Sequence, residues 1–142
     1  MAFAMRINFV DVICDNSLQN IMINGCKMGY QFEIMLSYYR GQFLSVIDEI
    51  ALKVDSVEVD PETISFCLHG KEFGISELNY QSGEFWRIDE AAAIRVYCKD
   101  GIAPGEHAIE LKLMFHSPYM PIGAGYMPID GCGEKTLLLA QY

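Results

Sequence analysis

The side chains that could do acid–base or metal chemistry are scattered along this sequence. The three histidines, His69, His107 and His116, fall on different predicted elements, and none has a second ligand at metal-binding spacing on its own strand. Glu106 directly precedes His107, but adjacent residues of a strand point to opposite faces, so the two do not make a ready acid–base pair. We therefore predict no catalytic residue and no metal site in this chain, and we expect the histidines to be structural or exposed.

Other chemical signatures are equally weak. The sequence has no serine or cysteine in a nucleophile-elbow pattern and no glycine-rich phosphate loop. Asp48 and Glu49 lie where a strand is predicted to begin, and we expect both carboxylates to be solvated rather than to form an acid–base pair. An odd number of cysteines without a close pair favours reduced, mostly buried thiols over a disulfide framework or a zinc site. The cysteines are Cys14, Cys26, Cys67, Cys98 and Cys132.

Tyr38, Tyr39, Arg40 and Gly41 form a segment whose residue types suit contact with another protein. Tyrosine and arginine are enriched where binding energy concentrates, because each combines a large contact area with directed hydrogen bonds. Arg40 can bind a carboxylate through two parallel hydrogen bonds, and Gly41 lets the backbone turn directly after it. The same pattern fits one tyrosine in the core, the other exposed and an exposed arginine, so spacing alone leaves both interpretations open.

Trp86 is the single tryptophan of the chain. A tryptophan on a β-framework is most often a large anchor of the core, and that is the interpretation we favour. The alternative is a platform on which a sugar or a flat aromatic ligand stacks, and the sequence leaves it open.

Composition limits the classes of partner. The chain has 142 residues, a formal net charge of −9 and a sequence pI of about 4.6. An acidic surface repels phosphates and anionic lipids, so we expect neither nucleic acid nor a membrane as a partner, whereas a basic face of another protein is compatible. Arg6 and Asn8 interrupt the apolar start of the chain, which is not predicted to be a signal peptide. With reduced thiols, these features predict a cytoplasmic protein.

Alternation of apolar and polar residues with a period of two dominates the chain and predicts strands with one face in a core. Many short strands with frequent turns predict an all-β fold, a single-domain antiparallel β-sandwich, jelly-roll-like, over residues 1–142. The clearest alternating segments are residues 50–54, 64–68, 94–96 and 109–115, and weaker candidates are residues 7–13 and 30–37.

The remaining segments are less regular. Residues 136–140 are apolar throughout, which predicts a strand that is buried on both faces or covered by a partner. Residues 119–122 and 126–129 repeat the sequence Tyr-Met-Pro-Ile and are predicted to be irregular apolar loops that cover the core or a neighbouring chain. Only residues 76–81 are predicted to form a helical turn, and residues 101–107 an architectural turn that leads into a strand.

In their order and spacing, five segments resemble the small β subunit of bacterial C-glycoside deglycosidases. That family has an aromatic-Arg-Gly loop, an acidic strand, a Trp-containing segment, a GLAPGEH turn and a final SYMP segment. This sequence departs by Ile102 in place of leucine, by the inserted Pro118 and by the pair Gln42-Phe43, where a more polar or proline-bearing pair is common. The matching segments are Tyr38-Tyr39-Arg40-Gly41-Gln42-Phe43-Leu44-Ser45, Ile47 to Asp55, Trp86, Gly101-Ile102-Ala103-Pro104-Gly105-Glu106-His107 and Ser117-Pro118-Tyr119-Met120-Pro121.

The resemblance implies a reaction as well as a fold. Such complexes cleave the carbon–carbon bond between sugar and aglycone in 3-oxo-C-glycosides of flavonoids or isoflavonoids by β-elimination. A ketone introduced at C3 by a separate enzyme acidifies the hydrogen on C2, and a base removes that hydrogen. The aglycone then leaves by β-elimination as its ring carbon takes up a proton. The resemblance places the base and a divalent, manganese-type metal in a larger, barrel-shaped α subunit, so no cofactor is expected in this chain.

By the same resemblance, this chain is an accessory, non-catalytic subunit that docks on the α subunit and shapes its active site, with substrate at or near the interface. The alternative is a free-standing β-sandwich that binds carbohydrate or another small ligand, with Trp86 or the tyrosines stacking on that ligand. An independent cupin-like enzyme is a third class, and it needs a His/Glu cluster that the scattered histidines do not supply. The residues predicted to form the contact surface are Tyr38, Tyr39, Arg40, Tyr119, Met120 and Tyr126.

Overall fold

A computed structural model describes residues 5–6, 11–123 and 125–139, apart from the side chains of residues 119 and 120. The described residues contain twelve β-strands and three short 3-10 helices. The strands are β1 (Gln19–Ile23), β2 (Cys26–Ile34), β3 (Gln42–Phe43), β4 (Ile47–Val54), β5 (Val57–Glu58), β6 (Ile64–Leu68), β7 (Lys71–Gly74), β8 (Phe85–Trp86), β9 (Ala92–Tyr97), β10 (Gly105–Ile122), β11 (Gly125–Asp130) and β12 (Gly133–Leu139).

Two five-stranded sheets form the layers of an antiparallel sandwich. The first sheet has the order β1-β2-β9-β6-β7, and the second has the order β11-β10-β4-β5, with β12 also paired to β10. The long strand β10 organises the second sheet, because it pairs with β4 on one side and with β12 and then β11 on the other. A separate two-stranded sheet joins β3 to β8. This architecture confirms the predicted all-β antiparallel sandwich.

One core fills the space between the sheets. Phe32, Phe66 and Ile94 enter it from the first sheet, and Leu52 and Leu113 enter it from the second; all five are buried. These residues occupy the apolar positions of the alternating segments, so the alternation with a period of two predicted the inward faces of the strands correctly. Each such side chain contributes about 1.5–3 kcal/mol of transfer free energy on burial, which makes the pattern a strong constraint on register.

Tight hairpins connect three of the strand pairs. The loops at residues 24–25, 55–56 and 69–70 each have two residues, and both residues of each loop have positive φ. A two-residue loop of this kind matches the twist of the strands that it joins, which is why Asn24 and Gly25 are a favoured pair. The first and third loops each contain a glycine, whereas the second consists of Asp55 and Ser56.

The helical segments are η1 (Leu44–Val46), η2 (Pro61–Thr63) and η3 (Ile75–Tyr80). The last of these confirms the predicted helical turn, displaced by one residue. No helix in the described ranges has the length and apolar character that a bilayer crossing demands.

The two strands predicted from weaker alternation agree less well with the observed strand bounds. The strand expected at residues 30–37 begins earlier, at Cys26, and ends at Ile34, because the Asn-Gly hairpin sets its start. Of the segment at residues 7–13, residues 7–10 lie outside the described part, and Ile13 makes only an isolated bridge to Ile34.

The two Tyr-Met-Pro-Ile segments, predicted to be irregular loops, instead lie in β10 and β11, which form a hairpin. The pairing register shifts between Ser117 and Pro121. The shift occurs where Pro118 and Pro121 interrupt the ladder, because proline has no N–H to donate. A break in the hydrogen-bond pattern therefore does not end the strand here.

The last strand is buried on one face only. Leu137 and Leu139 enter the core, whereas Leu138 between them is 64% exposed. The expectation of burial on both faces is therefore wrong for the chain by itself. The alternative, a strand covered by a partner, stays a prediction.

Candidate interaction surface

The Tyr38 side chain lies in the core, not on the surface. It is 1% exposed, its ring meets Phe115 edge-on at 5.5 Å, and its hydroxyl donates a hydrogen bond of 3.0 Å to Ser117 Oγ. Burial raises the pKa of the Tyr38 hydroxyl, so the group stays neutral and serves as a donor. Because Ser117 belongs to β10, this bond ties the loop to the central strand. In the chain by itself, Tyr38 is not available to contact a partner, which corrects its place in the predicted surface.

Tyr39 and Arg40 are exposed directly beside it. Tyr39 is 46% exposed and its ring centroid lies 4.4 Å from that of Tyr38, so a buried ring supports an exposed one. Arg40 is also exposed. The loop therefore combines the two interpretations of the sequence, with one tyrosine anchored inside and the neighbouring Tyr-Arg pair presented outside.

Two further aromatic side chains extend this exposed surface. Phe43 and Phe85 face each other across the β3–β8 pair with ring centroids 4.9 Å apart, and both are partly exposed. Gly41 brings the loop against them, because a Cβ at that position would lie 2.5 Å from the Phe85 ring. We call the group formed by Tyr39, Arg40, Phe43 and Phe85 the aromatic rim.

Gln42 and Phe43, the pair that departs from the family pattern, point in opposite directions. Gln42 is buried, and its Nε2 has no acceptor among the residues that the structure describes. Phe43 is exposed and forms part of the aromatic rim. The departure therefore places an aromatic ring on the surface beside Tyr39 and Arg40. The sequence contained this signal, since alternation along β3 puts successive residues on opposite faces.

Trp86 is an anchor of the core. It is 1% exposed, its indole N–H donates a hydrogen bond of 3.0 Å to the carbonyl of Glu90, and its ring lies 5.3 Å from that of Phe66. The structure thus favours the first interpretation of this residue. It presents no face to solvent on which a sugar could stack, and the stacking interpretation is wrong for this conformation.

A second group of side chains lies on the outer face of the second sheet. His116 on β10 donates from Nδ1 to both carboxylate oxygens of Asp48 on β4, at 3.0 and 3.1 Å. Tyr126, at the start of β11, stacks on the imidazole with ring centroids 5.8 Å apart and planes 23° apart, and it is 50% exposed. We call these three residues the His116 cluster.

The sequence treated the members of the His116 cluster separately. Asp48 was expected to be solvated, and its side chain is exposed; it also contacts a histidine that lies 68 residues away in the sequence. Cross-strand pairing of β4 with β10 creates the contact, and no single-strand spacing reveals it. Of the other predicted surface residues, Tyr119 and Met120 lie in β10, but their side chains are outside the described part of the chain.

The 101–107 turn is architectural, as predicted. The Asn20 amide accepts from the backbone N–H of Ile102 at 3.0 Å and donates to its carbonyl at 3.1 Å. From the other side, His107 Nε2 donates to the Ala103 carbonyl and Nδ1 contacts the Asp55 carboxylate, both at 2.7 Å. Burial lowers the pKa of His107, but these two hydrogen bonds outweigh it and raise that pKa above the ordinary value.

The outer face of the second sheet also contains a shallow concavity of about 900 Å³. Five carboxylates and three basic side chains line it, so its charge is negative on balance. Among residues 5–6, 11–123 and 125–139, no group of three or more His, Cys, Asp or Glu side chains is arranged to hold a metal ion. The charged residues of the concavity are Arg6, Glu49, Lys53, Glu58, Glu110, Lys112, Asp130 and Glu134.

All five cysteines carry free thiols. Cys26 is exposed and the other four are half-buried, so they are less buried than expected. The pKa of the Cys67 thiol is raised to about 11, mainly by burial and next by the negative charge of Glu72. A thiol held in its protonated form is a poor nucleophile.

Comparison with known proteins gives a consistent result. The profile of the family C-glycoside deglycosidase beta subunit matches residues 9–119. The C-glycoside deglycosidase beta subunit of Eubacterium cellulosolvens is 34% identical over 98 residues, which cover 69% of this chain and 67% of that protein. The 3'-dehydrocarminate deglycosidase beta subunit of a Microbacterium species is 27% identical over 113 residues, covering 78% of this chain and 83% of that protein. A C-glycoside deglycosidase beta subunit of Arthrobacter globiformis is 27% identical over 109 residues, covering 77% and 83% respectively.

Proposed function

The chain belongs to the C-glycoside deglycosidase beta subunit family, and from this membership we propose that it is the accessory, non-catalytic subunit of a carbon–carbon lyase complex. As a beta subunit it assembles with a different subunit. In our proposal that partner is a metal-dependent α subunit, and the complex cleaves 3-oxo-C-glycosides of flavonoids or isoflavonoids by β-elimination in the cytoplasm.

The aromatic rim is the observation that carries the docking part of this proposal. Tyr39, Phe43 and Phe85 present large apolar surfaces to solvent, and Arg40, next to Tyr39 in the sequence, is exposed as well. Clustered exposed aromatic rings beside an arginine are typical of a surface that a partner covers. The buried Tyr38 holds this surface in place, so little conformational entropy is lost when a partner binds.

The proposal assigns the chemistry to the partner. A carbon–carbon bond cannot be cleaved by protonating a glycosidic oxygen, because carbon replaces that oxygen. The C3 ketone makes the C2 hydrogen acidic, and a divalent metal held by the α subunit would supply Lewis-acid stabilisation of the resulting negative charge. The role of this chain is to cover the mouth of that site and exclude water, which strengthens electrostatic interactions inside it.

Reconstitution tests the proposal. Each chain is expressed alone and together with an α-type subunit, and the products are analysed by size-exclusion chromatography with light scattering. We expect a stable complex that cleaves a 3-oxo-C-glucoside, with no turnover by either chain alone. A chain that stays monomeric beside the α-type subunit would refute the accessory role.

Variants of the rim test the docking surface. We expect Arg40→Ala to weaken assembly by about 10- to 100-fold, the range of a central arginine contact. Gly41→Ala displaces the rim, because its Cβ would come within 2.5 Å of the Phe85 ring and 2.8 Å of the Trp86 carbonyl. Gly83→Ala is the matched control, since nothing lies within 4 Å of a Cβ at that position. If Arg40→Ala leaves both assembly and turnover unchanged, the rim is not the docking surface.

A further inference from the structure

The His116 cluster has the parts of a ligand site that the docking role does not use. Asp48 accepts the Nδ1 proton of His116 through both carboxylate oxygens, which fixes the ring orientation and the tautomer. In the neutral imidazole with its proton on Nδ1, Nε2 carries a lone pair on the opposite edge of the ring. No group in the described part of the chain bonds Nε2, so a hydrogen-bond acceptor faces away from the carboxylate.

Tyr126 adds an aromatic platform next to this acceptor. One face of its ring stacks on the imidazole, and half of the side chain remains exposed. A tyrosine ring offers apolar area and a π-face at low entropic cost, and it prefers an offset-stacked partner. The centroid distance of 5.8 Å is that of an offset stack, so the imidazole covers only part of this Tyr126 face. A planar aromatic molecule that lies beside the imidazole, on the uncovered part of the same face, can stack on Tyr126 and donate an in-plane hydroxyl hydrogen to His116 Nε2.

The cluster lies close to the docking surface along the chain. Phe43 belongs to the aromatic rim, and Asp48 follows it after the 3-10 helix η1. Ser117, the residue next to His116, accepts the hydrogen bond of the Tyr38 hydroxyl, and Tyr38 supports Tyr39 of the rim. The rim and the His116 cluster are thus linked through the Tyr38–Ser117 hydrogen bond and through the start of β4.

We propose that the His116 cluster binds the aromatic aglycone of the substrate, with Tyr126 stacked on the aglycone ring and His116 Nε2 accepting a hydrogen bond from a phenolic hydroxyl. This inference rests on the proposed function and extends it, because it gives the accessory subunit a direct contact with substrate. His116 and Tyr126 are binding residues in this assignment, and Asp48 is a positioning residue. No proton is transferred in the contact.

The variants separate stacking from hydrogen bonding. His116→Phe keeps a ring for Tyr126 to stack on and removes the acceptor. Tyr126→Ala removes the platform, and Tyr126→Phe keeps it. His69→Phe is the matched control, because His69 also pairs with a carboxylate, Glu90 at 2.7 Å, but lies at the β6–β7 turn in the other sheet.

The measurements use the reconstituted complex at saturating α-type subunit. An unoxidised 8-C-glucosyl isoflavone serves as a non-reacting probe for fluorescence titration, and the 3-oxo form of the same compound is used for kinetics. We expect Tyr126→Ala and His116→Phe each to raise Kd and KM by about 3- to 10-fold, the worth of one stacked ring or one hydrogen bond. Since ground state and transition state lose the same contact, kcat should stay within about twofold. Tyr126→Phe and His69→Phe should match the unmodified complex.

The possible failures are distinguishable. If an active complex forms and both variants bind the probe as the unmodified complex does, the aglycone contact is wrong while the accessory role stands. If the variants weaken assembly but leave Kd unchanged at saturation, the cluster contacts the partner protein and the proposal is overturned. If the unmodified chain forms no active complex, the proposed function fails and this inference fails with it.

Discussion

At the scale of single residues, the most informative contact is the hydrogen bond between two buried hydroxyl groups. Tyr38 and Ser117 are both nearly inaccessible to solvent, and each hydroxyl is the partner of the other at 3.0 Å. A buried polar group that loses its partner costs more than the bond itself is worth, because it has already given up its bonds to water. The pair therefore fixes where the loop carrying Tyr39 lies against β10.

A double-mutant cycle measures this contact. We expect Tyr38→Phe and Ser117→Ala each to lower the free energy of unfolding by about 1–3 kcal/mol, because each leaves one buried hydroxyl unpaired. The double variant should be less destabilised than the sum of the singles, since it leaves no orphaned group. Urea denaturation of the four proteins provides the free energies. Additive effects would show that the two hydroxyl groups do not interact.

In this region the sequence identified the unusual residues, but it did not predict which side chains point into the core and which point to solvent. Tyr38, Tyr39 and Arg40 were singled out correctly as unusual, but spacing cannot tell which tyrosine turns inward. That depends on Ser117, which is 79 residues away from Tyr38 in the sequence. Phe85 joins the rim for a similar reason, because the β3–β8 pair is a long-range contact that no local pattern specifies.

At the scale of elements, the 101–107 turn, the β4–β5 hairpin and the start of β10 form one connected unit. Asp55 sits in the hairpin loop with positive φ and accepts the backbone N–H of Ala108 at 2.9 Å as well as the contact from His107. His107 faces two acceptors, the Ala103 carbonyl and the Asp55 carboxylate. Only the doubly protonated imidazolium can donate to both, which agrees with its raised pKa.

This unit gives stability a definite dependence on pH. The pKa of His107 is raised above the ordinary 6.5. The contribution of its imidazolium to folding stability is therefore complete below about pH 6.5 and is lost as pH rises through the folded pKa. The hydrogen bond from His107 is the main cause that lowers the pKa of Asp55 below 3.8. The contribution of Asp55 to folding stability is therefore complete above about pH 3.8 and is lost as pH falls through the folded pKa.

We expect the urea midpoint of the unmodified chain to fall between about pH 6 and pH 8.5, and His107→Gln to remove most of that fall. At pH 6 the same variant should also unfold at a lower urea concentration than the unmodified chain, because it loses these charge-assisted hydrogen bonds. His69→Gln is the control and should keep the pH dependence. An unchanged slope in His107→Gln would mean that the imidazolium does not hold this turn.

Elements that are determined by a local sequence pattern were predicted better than elements that depend on contacts with distant residues. The four strands that carry strict alternation were placed well, because burial of one face enforces the pattern. The hairpin of β10 and β11 was mistaken for loops, since Pro118 and Pro121 suggest a break and only the register shift lets the strand continue. The Asp55 turn was missed because its positive φ is supported by contacts to His107 and Ala108 rather than by a glycine.

At the scale of the whole molecule, we expect net charge to influence how fast the chain associates with its proposed partner. The formal net charge is −9, and carboxylates outnumber basic side chains around the concavity on the outer face of the second sheet. The aromatic rim supplies apolar contact area at short range, whereas the net charge acts over the Debye length of about 8–10 Å before contact. The two features therefore affect different rates: the rim should set dissociation, and the net charge should set association.

If the α-type partner presents a basic face, association should slow markedly with salt. We expect the association rate constant, measured by stopped-flow fluorescence, to fall about tenfold or more between about 0.05 and 0.5 M NaCl, with little change in the dissociation rate constant. Arg40→Ala should do the opposite, raising the dissociation rate constant while the salt dependence of association persists. Sucrose of matched osmolarity controls for effects unrelated to charge. Association that is insensitive to salt would show that the acidic surface serves solubility alone, and that the rim recognises its partner without electrostatic steering.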